Sequence, residues 1–336
     1  MYLAFHGLRE RPFSETPDPK FLFLTPGHRE ALAQLIYGVQ EGKGFIVLTG
    51  EVGTGKTTLL RTFMERIDTS RTHVAFIFDS TMPYDGLVEY MLEDFGIPSA
   101  GQTRAQRLFA LNRFLIDCRR AGQTAAVVVD EAQNLSLANL EHLRLLSNFE
   151  TPTGKLLQII LVGQPELRDK LARPELRQLR QRLGMRCMIR PLTAEETASY
   201  IRSRLHVAGA SDTRLFTDAA VARIAAYTSG IPRLINIVCD HCLLIGYTEQ
   251  TGRVEREMVE RAIEYLEDGQ RPAQVRGMFW RPAKRRLGWL VGALGAAAIA
   301  VGTLVAAAAG GIVSAPGLIA GQFLDYARLA RDLVMR

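Results

Sequence analysis

The chain has 336 residues, of which 47% are hydrophobic and 23% are charged, as in an ordinary globular protein. The formal net charge is +6, and part of this excess is local. Six basic side chains are concentrated in one stretch, namely Arg271, Arg276, Arg281, Lys284, Arg285 and Arg286. The rest of the chain is close to balanced, so its charge is weak evidence for a nucleic-acid partner.

The four cysteines are too sparse for a disulfide framework in a chain of this length. They favour a reduced, cytosolic setting for the main body of the protein. The first residues show neither the basic region nor the long apolar region of a signal peptide, so we expect none.

Residues 1–26 are expected to form an irregular N-terminal strap, because proline repeatedly interrupts helix formation there. Aromatic residues recur in the strap, at Phe5, Phe13, Phe21 and Phe23. Two roles remain open for them: the strap folds over a nucleotide base, or it packs on the core as buried aromatic residues usually do.

Residues 50–58 read GEVGTGKTT and match the phosphate-loop pattern G-x-x-x-x-G-K-[ST]. An apolar run precedes them and a helical pattern follows, which is the strand–loop–helix context that this motif requires. Glycines let such a loop turn tightly and present backbone N–H groups to phosphate oxygens. Lys56 is expected to reach the β- and γ-phosphates, and the Thr57 hydroxyl to bind Mg²⁺. The predicted binding residues are Gly50, Glu51, Val52, Gly53, Thr54, Gly55, Lys56, Thr57 and Thr58.

Strand and helix patterns alternate up to Pro191 and predict a parallel sheet with helices on both faces. Strands are predicted at 45–48, 73–79, 125–129, 155–163 and 185–189, and helices at about 29–40, 56–67, 84–94, 104–120 and 136–149. Beyond Pro191 the pattern is helical, at about 193–207, 217–228, 233–246 and 255–267. Thr193 with Glu196 is typical of a capping box. We therefore expect an α/β nucleotide-binding domain at 27–190 and a small all-α lid domain at 191–268.

Two polar strand ends are expected to complete the site. Asp130 and Glu131 follow a buried strand, where a carboxylate can hold Mg²⁺ and its neighbour can orient or deprotonate the attacking water. Gln164 follows another apolar strand, and we expect its amide to lie between the two motif strands, within reach of the γ-phosphate or of that water.

Arginines supply the remaining candidates. Arg173, Arg177, Arg180 and Arg182 cluster before the last predicted strand. A planar guanidinium there suits a finger offered to a neighbouring subunit's γ-phosphate, although a solvated basic face is the alternative. Arg233 begins a predicted lid helix and is expected to point back at the nucleotide.

Residues 239–242 read CDHC. Core packing is favoured over zinc binding for Cys239 and Cys242, because structural zinc needs four ligands.

The C-terminal region predicts a membrane anchor. Residues 269–286 are expected to be a basic linker, 287–313 one transmembrane helix and 314–336 a short tail, since no charged residue lies between Arg286 and Asp325. Gly288 and Gly292 form a G-x-x-x-G pair, which serves a helix interface or only fills a weakly hydrophobic span. Because basic residues flank the cytoplasmic end of a membrane span, the basic linker predicts that residues 1–286 lie in the cytoplasm. The alternative to a transmembrane helix at 287–313 is a buried helix of a soluble domain.

The sequence resembles the AAA+ ATPases and, among them, the general secretion pathway protein A family, which is itself similar to the transposition-associated ATPases. The resemblance covers about residues 1–267. The matching stretches are Tyr2, Phe5 and Gly7-Leu8; Pro12-Phe13; Pro17-Asp18-Pro19; the phosphate loop; Asp130-Glu131-Ala132-Gln133; Leu161-Val162-Gly163-Gln164-Pro165-Glu166-Leu167; Leu179-Arg180-Gln181-Arg182; and Gly230-Ile231-Pro232-Arg233.

This resemblance implies a role for each matched residue. Lys56 and Thr57 bind phosphate and Mg²⁺, Asp130 and Glu131 are the Walker B pair, and Glu131 is the catalytic base. Gln164 corresponds to the first sensor and Arg233 to the second, while Arg182, or less well Arg180, corresponds to the trans-acting arginine. Peptidoglycan binding, which long members place after the span, is not expected, because the sequence after residue 313 is too short for that domain.

Together these observations predict a single-pass AAA+ ATPase of a bacterial-type inner membrane. We expect it to bind and hydrolyse Mg-ATP, to form a homo-oligomer, and to drive assembly or remodelling of a secretion or envelope-export apparatus, with components of that apparatus as partners. GTP is disfavoured, since no N-K-x-D motif occurs. The alternatives are a DNA-binding regulator resembling the transposition ATPases, and a scaffold in which ATP only sets the assembly state.

Overall fold

The structure is a computed structural model that describes residues 2–15, 18–152 and 154–268. These residues belong to the first of two compact units, Met1–Arg271. The predicted basic linker (269–286), transmembrane helix (287–313) and tail (314–336) lie outside the described residues. Among the helices of residues 2–268 that the structure describes, none combines the length and apolarity needed to cross a membrane.

A five-stranded parallel sheet forms the centre of the described unit, with strand order β2-β3-β6-β1-β7. Its strands are β1 (Phe45–Gly50), β2 (Thr72–Ile77), β3 (Thr124–Val129), β6 (Leu157–Gly163) and β7 (Leu183–Ile189). A separate hairpin pairs β4 (Glu150–Thr151) with β5 (Gly154–Lys155). All five predicted strands are present, and the predicted parallel sheet is confirmed.

The sheet is buried on both faces because helices cover each one. Successive side chains of a strand point to opposite faces, and β1 shows this alternation. Phe45 and Val47 belong to one core cluster, whereas Ile46 and Leu48 belong to the other. The first core packs under α4 (Tyr84–Asp94), α5 (Arg104–Arg120), α6 (Leu137–Leu146), α7 (Pro165–Leu171) and α8 (Arg177–Gln181); the second packs under α2 (Pro26–Gln40) and α3 (Lys56–Arg66).

Four helices follow the sheet and are called the lid helices below. They are α9 (Ala194–Val207), α10 (Asp218–Thr228), α11 (Pro232–Thr248) and α12 (Arg256–Asp268). The capping box at the start of α9 is confirmed, because the Thr193 hydroxyl accepts from the Glu196 N–H at 3.1 Å and the Glu196 carboxylate accepts from the Thr193 N–H at 2.9 Å. Cys239 and Cys242 are fully buried in the core of these helices, as packing predicts.

The N-terminal strap packs on the lid helices. It contains the short helix α1 (Tyr2–Phe5) and a 3₁₀ turn at Pro19–Phe21. Leu8, Phe13 and Phe21 are buried in the same core as the lid helices. Core packing therefore accounts for much of the strap's aromatic content, while its last residues border the cavity described below.

Two stretches between β3 and α8 differ from the sequence-based prediction. The helix predicted to continue to residue 149 ends at Leu146, and a short hairpin takes up the following residues before β6. Helix α7 was not predicted at all. It has seven residues, with Gln164 in the N-cap position and Pro165 in the first turn. A helix of two turns is too short to give a recognisable period of apolar residues.

Candidate nucleotide-binding site

A cavity of about 430 Å³ lies between the phosphate loop, the strap and the lid helices. The loop contributes Val52, Gly53, Thr54, Gly55, Lys56, Thr57 and Thr58, and the acidic end of β3 contributes Glu131. The strap contributes Phe21, Leu22, Phe23 and Leu24, and the lid helices contribute Tyr200, Arg204, Arg233 and Asn236. Seven of the nine predicted loop residues therefore meet Glu131 at one cavity, whereas Gly50 and Glu51 are not among its lining residues.

The phosphate loop presents backbone donors to this cavity. Gly55 caps α3 in the left-handed conformation (φ 98°), and Gly53 is also left-handed (φ 79°). A β-carbon at Gly53 would lie 2.7 Å from Cβ of Arg233, so a side chain there would also push the lid away. The first N–H groups of a helix have no intrahelical acceptor. Combined with the helix dipole, they form an anion site at the start of α3.

Lys56 is buried, and its ammonium group folds against its own loop. Nζ donates to the carbonyl oxygens of Gly50 (2.8 Å) and Glu51 (3.0 Å). Burial lowers the pKa of this amine, while the nearby carboxylates of Glu131 and Asp130 oppose the shift. The amine needs only to exchange two carbonyl acceptors for phosphate oxygens to bind a nucleotide.

Asp130 lies beside the start of α3, at the end of β3. The residue is 8% exposed, and its carboxylate accepts the Glu131 N–H at 2.8 Å and a hydrogen bond from the Thr57 hydroxyl. Burial raises the pKa of Asp130, and the hydrogen bond from the Glu131 N–H is the largest opposing effect. Thr57 and Asp130, the two predicted Mg²⁺ ligands, are therefore in contact.

The Glu131 carboxylate is held by two side-chain amides. Gln133 Nε2 and Gln164 Nε2 (3.2 Å) both donate to Oε2 of Glu131. The amide oxygen of Gln133 in turn accepts the backbone N–H of Gln164 at 3.1 Å. The backbone of Glu131 is left-handed (φ 49°), and its carbonyl accepts from the Ser80 hydroxyl at 2.8 Å. These contacts fix the direction of a carboxylate that borders the cavity.

Gln164 lies where the sequence places it. Its strand, β6, lies between β3 and β1, so the amide lies between the acidic strand end and the phosphate loop. The strand order agrees with the predicted position, and the amide donates to Glu131.

Arg233 borders the cavity at the start of α11. Its backbone N–H donates to the Gly53 carbonyl at 3.3 Å, which links the lid to the phosphate loop. Its guanidinium forms an ion pair with Glu15 of the strap at 3.3 Å, and both side chains are more than half exposed. A nucleotide phosphate would therefore compete with Glu15 for this arginine.

Arg182 lies away from the cavity of its own chain. Its Nη1 donates to Oγ of Ser147 (2.8 Å), Oδ1 of Asn148 (2.5 Å) and the carbonyl oxygen of Arg144 (3.4 Å), at the end of α6. Arg180 donates to the Ala172 carbonyl at 2.7 Å. Neither arginine belongs to the residues that line the nucleotide cavity.

The sequence interpretation missed a buried polar chain at the opposite wall of the cavity. Arg204 is 7% exposed and donates to the Tyr200 hydroxyl (2.6 Å) and to the Pro12 carbonyl, while its guanidinium lies 4.8 Å from the centre of the Phe21 ring. The Tyr200 hydroxyl donates to Asn236 Oδ1 at 2.9 Å. Tyr200 and Arg204 are one helical turn apart on α9, but a tyrosine and an arginine at this spacing do not form a functional sequence motif.

The residues around the cavity fit Mg-ATP. The glycine-rich loop offers donors to phosphate, Lys56 lies among its carbonyl oxygens, and Thr57 and Asp130 supply hard oxygen ligands of the kind that Mg²⁺ prefers. The described part of the chain holds no group of three or more His, Cys, Asp and Glu side chains that would bind a metal without further ligands. Magnesium is normally held by one or two protein oxygens together with phosphates and water, so this donor set suits it.

The fold and this site define a class of protein. Residues 39–171, which contain both the phosphate loop and the acidic strand end, match the AAA domain family. The chain therefore carries an AAA domain, and a domain of this class implies nucleotide binding.

Two proteins are similar to this chain in sequence. The chain is 42% identical over 255 residues to General secretion pathway protein A of Aeromonas hydrophila, and the match covers 76% of this chain and 46% of that protein. The resemblance to the general secretion pathway protein A family is thereby confirmed, and the chain spans about half the length of that relative. An uncharacterized HTH-type transcriptional regulator of Methanocaldococcus jannaschii is 26% identical over 144 residues, or 42% of this chain and 34% of its own.

Solved structures share the fold. The ORC2 protein of Aeropyrum pernix, solved in ADPNP and ADP complexes, superimposes with a TM-score of 0.56 at 17% identity, covering 77% of this chain and 72% of that one. At this identity the likeness establishes the fold alone, and it agrees with the α/β sheet and helices described above.

Proposed function

We propose that this protein binds Mg-ATP in the cavity above the phosphate loop and hydrolyses it. The observation that carries the proposal is the carboxylate of Glu131, which is directed by Gln133 and Gln164 and borders the same cavity as the loop. A carboxylate in that position can orient and deprotonate water. Lys56 and the loop N–H groups hold the phosphates, while Thr57 and Asp130 hold the metal. Mg²⁺ bound there would neutralise the negative charge that develops on the phosphate oxygens.

Turnover by the full chain tests this proposal. We expect phosphate release from ATP that requires Mg²⁺, and no measurable release by Lys56→Ala. Lys43→Ala is the matched control, because Lys43 also lies close to β1 but does not line the cavity. Binding of ATP without turnover, under every condition that loads Mg²⁺, would instead support the scaffold alternative.

We further propose the assembly and location of this ATPase. It would form a homo-oligomer in which Arg182 reaches a neighbouring subunit's nucleotide, with Gln164 and Arg233 as first and second sensors. Residues 287–313 would anchor it in a bacterial-type inner membrane, with residues 1–286 in the cytoplasm. The 42% identity to a protein named General secretion pathway protein A supports a role in a secretion or envelope-export apparatus.

Fractionation and co-purification test the location and the partners. The full chain is expected to sediment with inner membranes and to need detergent for release, whereas a variant lacking residues 287–313 is expected in the soluble fraction. Cross-linking in membranes, followed by purification, should recover export components. A full chain found entirely in the soluble fraction would contradict the anchor.

The second candidate is a DNA-binding regulator. It is supported by the relative named an HTH-type transcriptional regulator, but that match covers only 144 residues at 26% identity. Binding to duplex DNA that weakens steeply with rising salt would favour it. We place it second because the match to the secretion protein is longer and closer.

A further inference from the structure

His28 is a buried residue of the site to which no role has been given. It lies at the third position of α2 and is 6% exposed. Both ring nitrogens have partners: Nδ1 lies 2.7 Å from Oγ1 of Thr25, and Nε2 lies 3.1 Å from the carbonyl oxygen of Thr54 in the phosphate loop. A side chain of α2 therefore reaches directly into the backbone of the loop.

The partners of His28 determine which nitrogen carries the proton. A carbonyl oxygen can only accept, so Nε2 donates to Thr54. In the neutral imidazole Nδ1 is then an acceptor, and the Thr25 hydroxyl donates to it. Thr25 Oγ1 also accepts the backbone N–H of His28 at 3.2 Å, which caps α2. The cap and the loop contact thus share one chain of hydrogen bonds.

The bond to Thr54 fixes the orientation of one peptide plane. In a trans peptide the C=O and the N–H point in opposite directions. Because His28 holds the Thr54 carbonyl toward α2, the Gly55 N–H points to the other side. Within the described residues, His28 is the hydrogen-bond partner found for this carbonyl, and the Gly55 N–H has none. An unpaired donor at the start of α3 is what a phosphate-binding loop offers.

The packing around Gly55 adds a second constraint. Gly55 is left-handed (φ 98°), a conformation that glycine adopts readily because it has no β-carbon. A β-carbon at Gly55 would lie 3.5 Å from His28 Nε2, so the imidazole packs directly against this residue. His28 therefore packs against the loop at a glycine, the residue type whose backbone has the most conformational freedom.

We propose that His28 is a positioning residue that holds the Thr54–Gly55 peptide with its N–H toward the phosphate site, and so prepares the loop for a nucleoside di- or triphosphate. The proposal rests on the proposed function for the identity of the ligand. The orientation of the loop itself, however, is measurable without any nucleotide.

Two variants of the full chain separate the loop contact from the rest of the side chain. In His28→Gln the amide nitrogen can take the place of Nε2 and donate to Thr54. In His28→Asn the shorter side chain can still accept from Thr25 but cannot reach the loop. Losing one hydrogen bond of this kind corresponds to about a fivefold change in an equilibrium.

We expect His28→Asn to raise the dissociation constants of ATP and ADP about fivefold each, because both ligands carry the phosphates that the loop binds. His28→Gln is expected to stay within about twofold of the wild type. A residue that only stabilises the fold would lower the melting temperature in both variants and leave the two dissociation constants unchanged. That result would overturn the proposal.

Hydrogen–deuterium exchange of the nucleotide-free chain gives a readout independent of ATP. The amides of residues 50–58 should exchange faster in His28→Asn than in the wild type, and at the wild-type rate in His28→Gln. Equal exchange in all three proteins would refute the positioning role. If the wild type binds no ATP but exchange behaves as expected, the proposed function fails while the role of His28 in loop geometry stands.

A measurement on the unmodified side chain covers the case in which His28→Asn does not fold. Nitrogen-15 spectra of histidine-labelled full chain should show a proton on Nε2 of His28, assigned by the signal that disappears in His28→Gln. A ring that carries its proton on Nδ1 alone would exclude the bond to the Thr54 carbonyl and with it the proposal.

Discussion

The phosphate loop and the acidic end of β3 border one cavity, but they are built from different groups. The loop acts mainly through its backbone: two left-handed glycines shape it, and its N–H groups are donors beside the Lys56 ammonium group. The acidic end acts through side chains, because Glu131 is directed by Gln133 and Gln164. The function of the loop depends on the path of its main chain, whereas the function of the acidic end depends on individual side-chain groups.

This difference predicts how the two regions respond to substitution. In the loop, a conservative change at a glycine is damaging because it alters the path of the backbone. At the acidic end, an isosteric change leaves the shape intact and removes only a charge or a donor. Substitutions at the acidic end should therefore separate turnover from binding more cleanly than substitutions in the loop.

Among substitutions at the acidic end, Glu131→Gln should give the largest effect and the sharpest test of this separation. The amide keeps the size of the side chain but cannot accept a proton from water, so turnover should fall by about 10²- to 10⁴-fold. The dissociation constant for ATP should change by less than about threefold, because the loop is untouched. Phosphate release and equilibrium binding measure the two quantities. Turnover equal to the wild type would remove Glu131 from the role of base.

Asp130→Asn should act in opposite directions on turnover and stability. Loss of the proposed metal ligand should lower Mg²⁺-dependent turnover by about 10²-fold. Burial raises the pKa of Asp130, so the folded state binds this proton more tightly than the unfolded state does. Stability contributed by the group is present below the unfolded pKa and lost as pH rises through the folded pKa.

At neutral pH the ionised Asp130 therefore costs stability, and Asp130→Asn should melt at a higher temperature than the wild type. The difference should shrink when melting is repeated at a pH below the ordinary pKa of aspartate. A variant that melts below the wild type at neutral pH would show that the hydrogen bonds of Asp130 outweigh its burial.

Gln133→Ala should have a smaller effect, confined to the acidic end. It removes one of the two donors to Glu131 and the acceptor of the Gln164 N–H. We expect turnover to fall by about tenfold, as one hydrogen bond to a charged group is lost, and ATP affinity to be unchanged. Gln178→Ala, at an exposed position of α8, is the control. A loss of affinity instead of turnover would break the contrast between the two regions.

Arg182 lies outside both the phosphate loop and the acidic end of β3. Arg182→Ala should therefore have the smallest effect on turnover within one subunit. It removes the bonds to Ser147 and Asn148 and should lower the free energy of unfolding by about 1–2 kcal/mol, measured by chemical denaturation. Arg180→Ala, which loses one exposed bond to a carbonyl, should change it less. If Arg182 also acts in trans, an equimolar mixture with Lys56→Ala should regain turnover. No recovery would count against the finger.

The contrast also explains how much the sequence could predict. The phosphate loop is a local motif, and the strand order places Gln164 beside it as expected. The chain of contacts from Gln164 through Gln133 to Glu131 was not predicted, because it joins three side chains whose directions depend on the packing of α7. Gln133 stands within the matched stretch Asp130-Glu131-Ala132-Gln133, yet nothing in that pattern states what it touches.

His28 and Arg204 show a second limit of the sequence. An isolated histidine at the start of a helix carries no pattern, and its contact with Thr54 spans 26 positions. Arg204 bonds to Pro12 across 192 positions. Contacts of such range follow from tertiary packing, so periodicity and local motifs do not reveal them.

The environment of Arg204 has a practical consequence for dividing the protein into fragments. Its guanidinium is buried among uncharged groups, and two of them, the Pro12 carbonyl and the Phe21 ring, come from the strap. A fragment that starts at α2 would leave a buried cation without these partners and would strip Leu8, Phe13 and Phe21 from the lid core. Expression trials with fragments that start at α2 should therefore yield insoluble material, whereas fragments that retain Tyr2 to Asp268 preserve the full environment of this arginine.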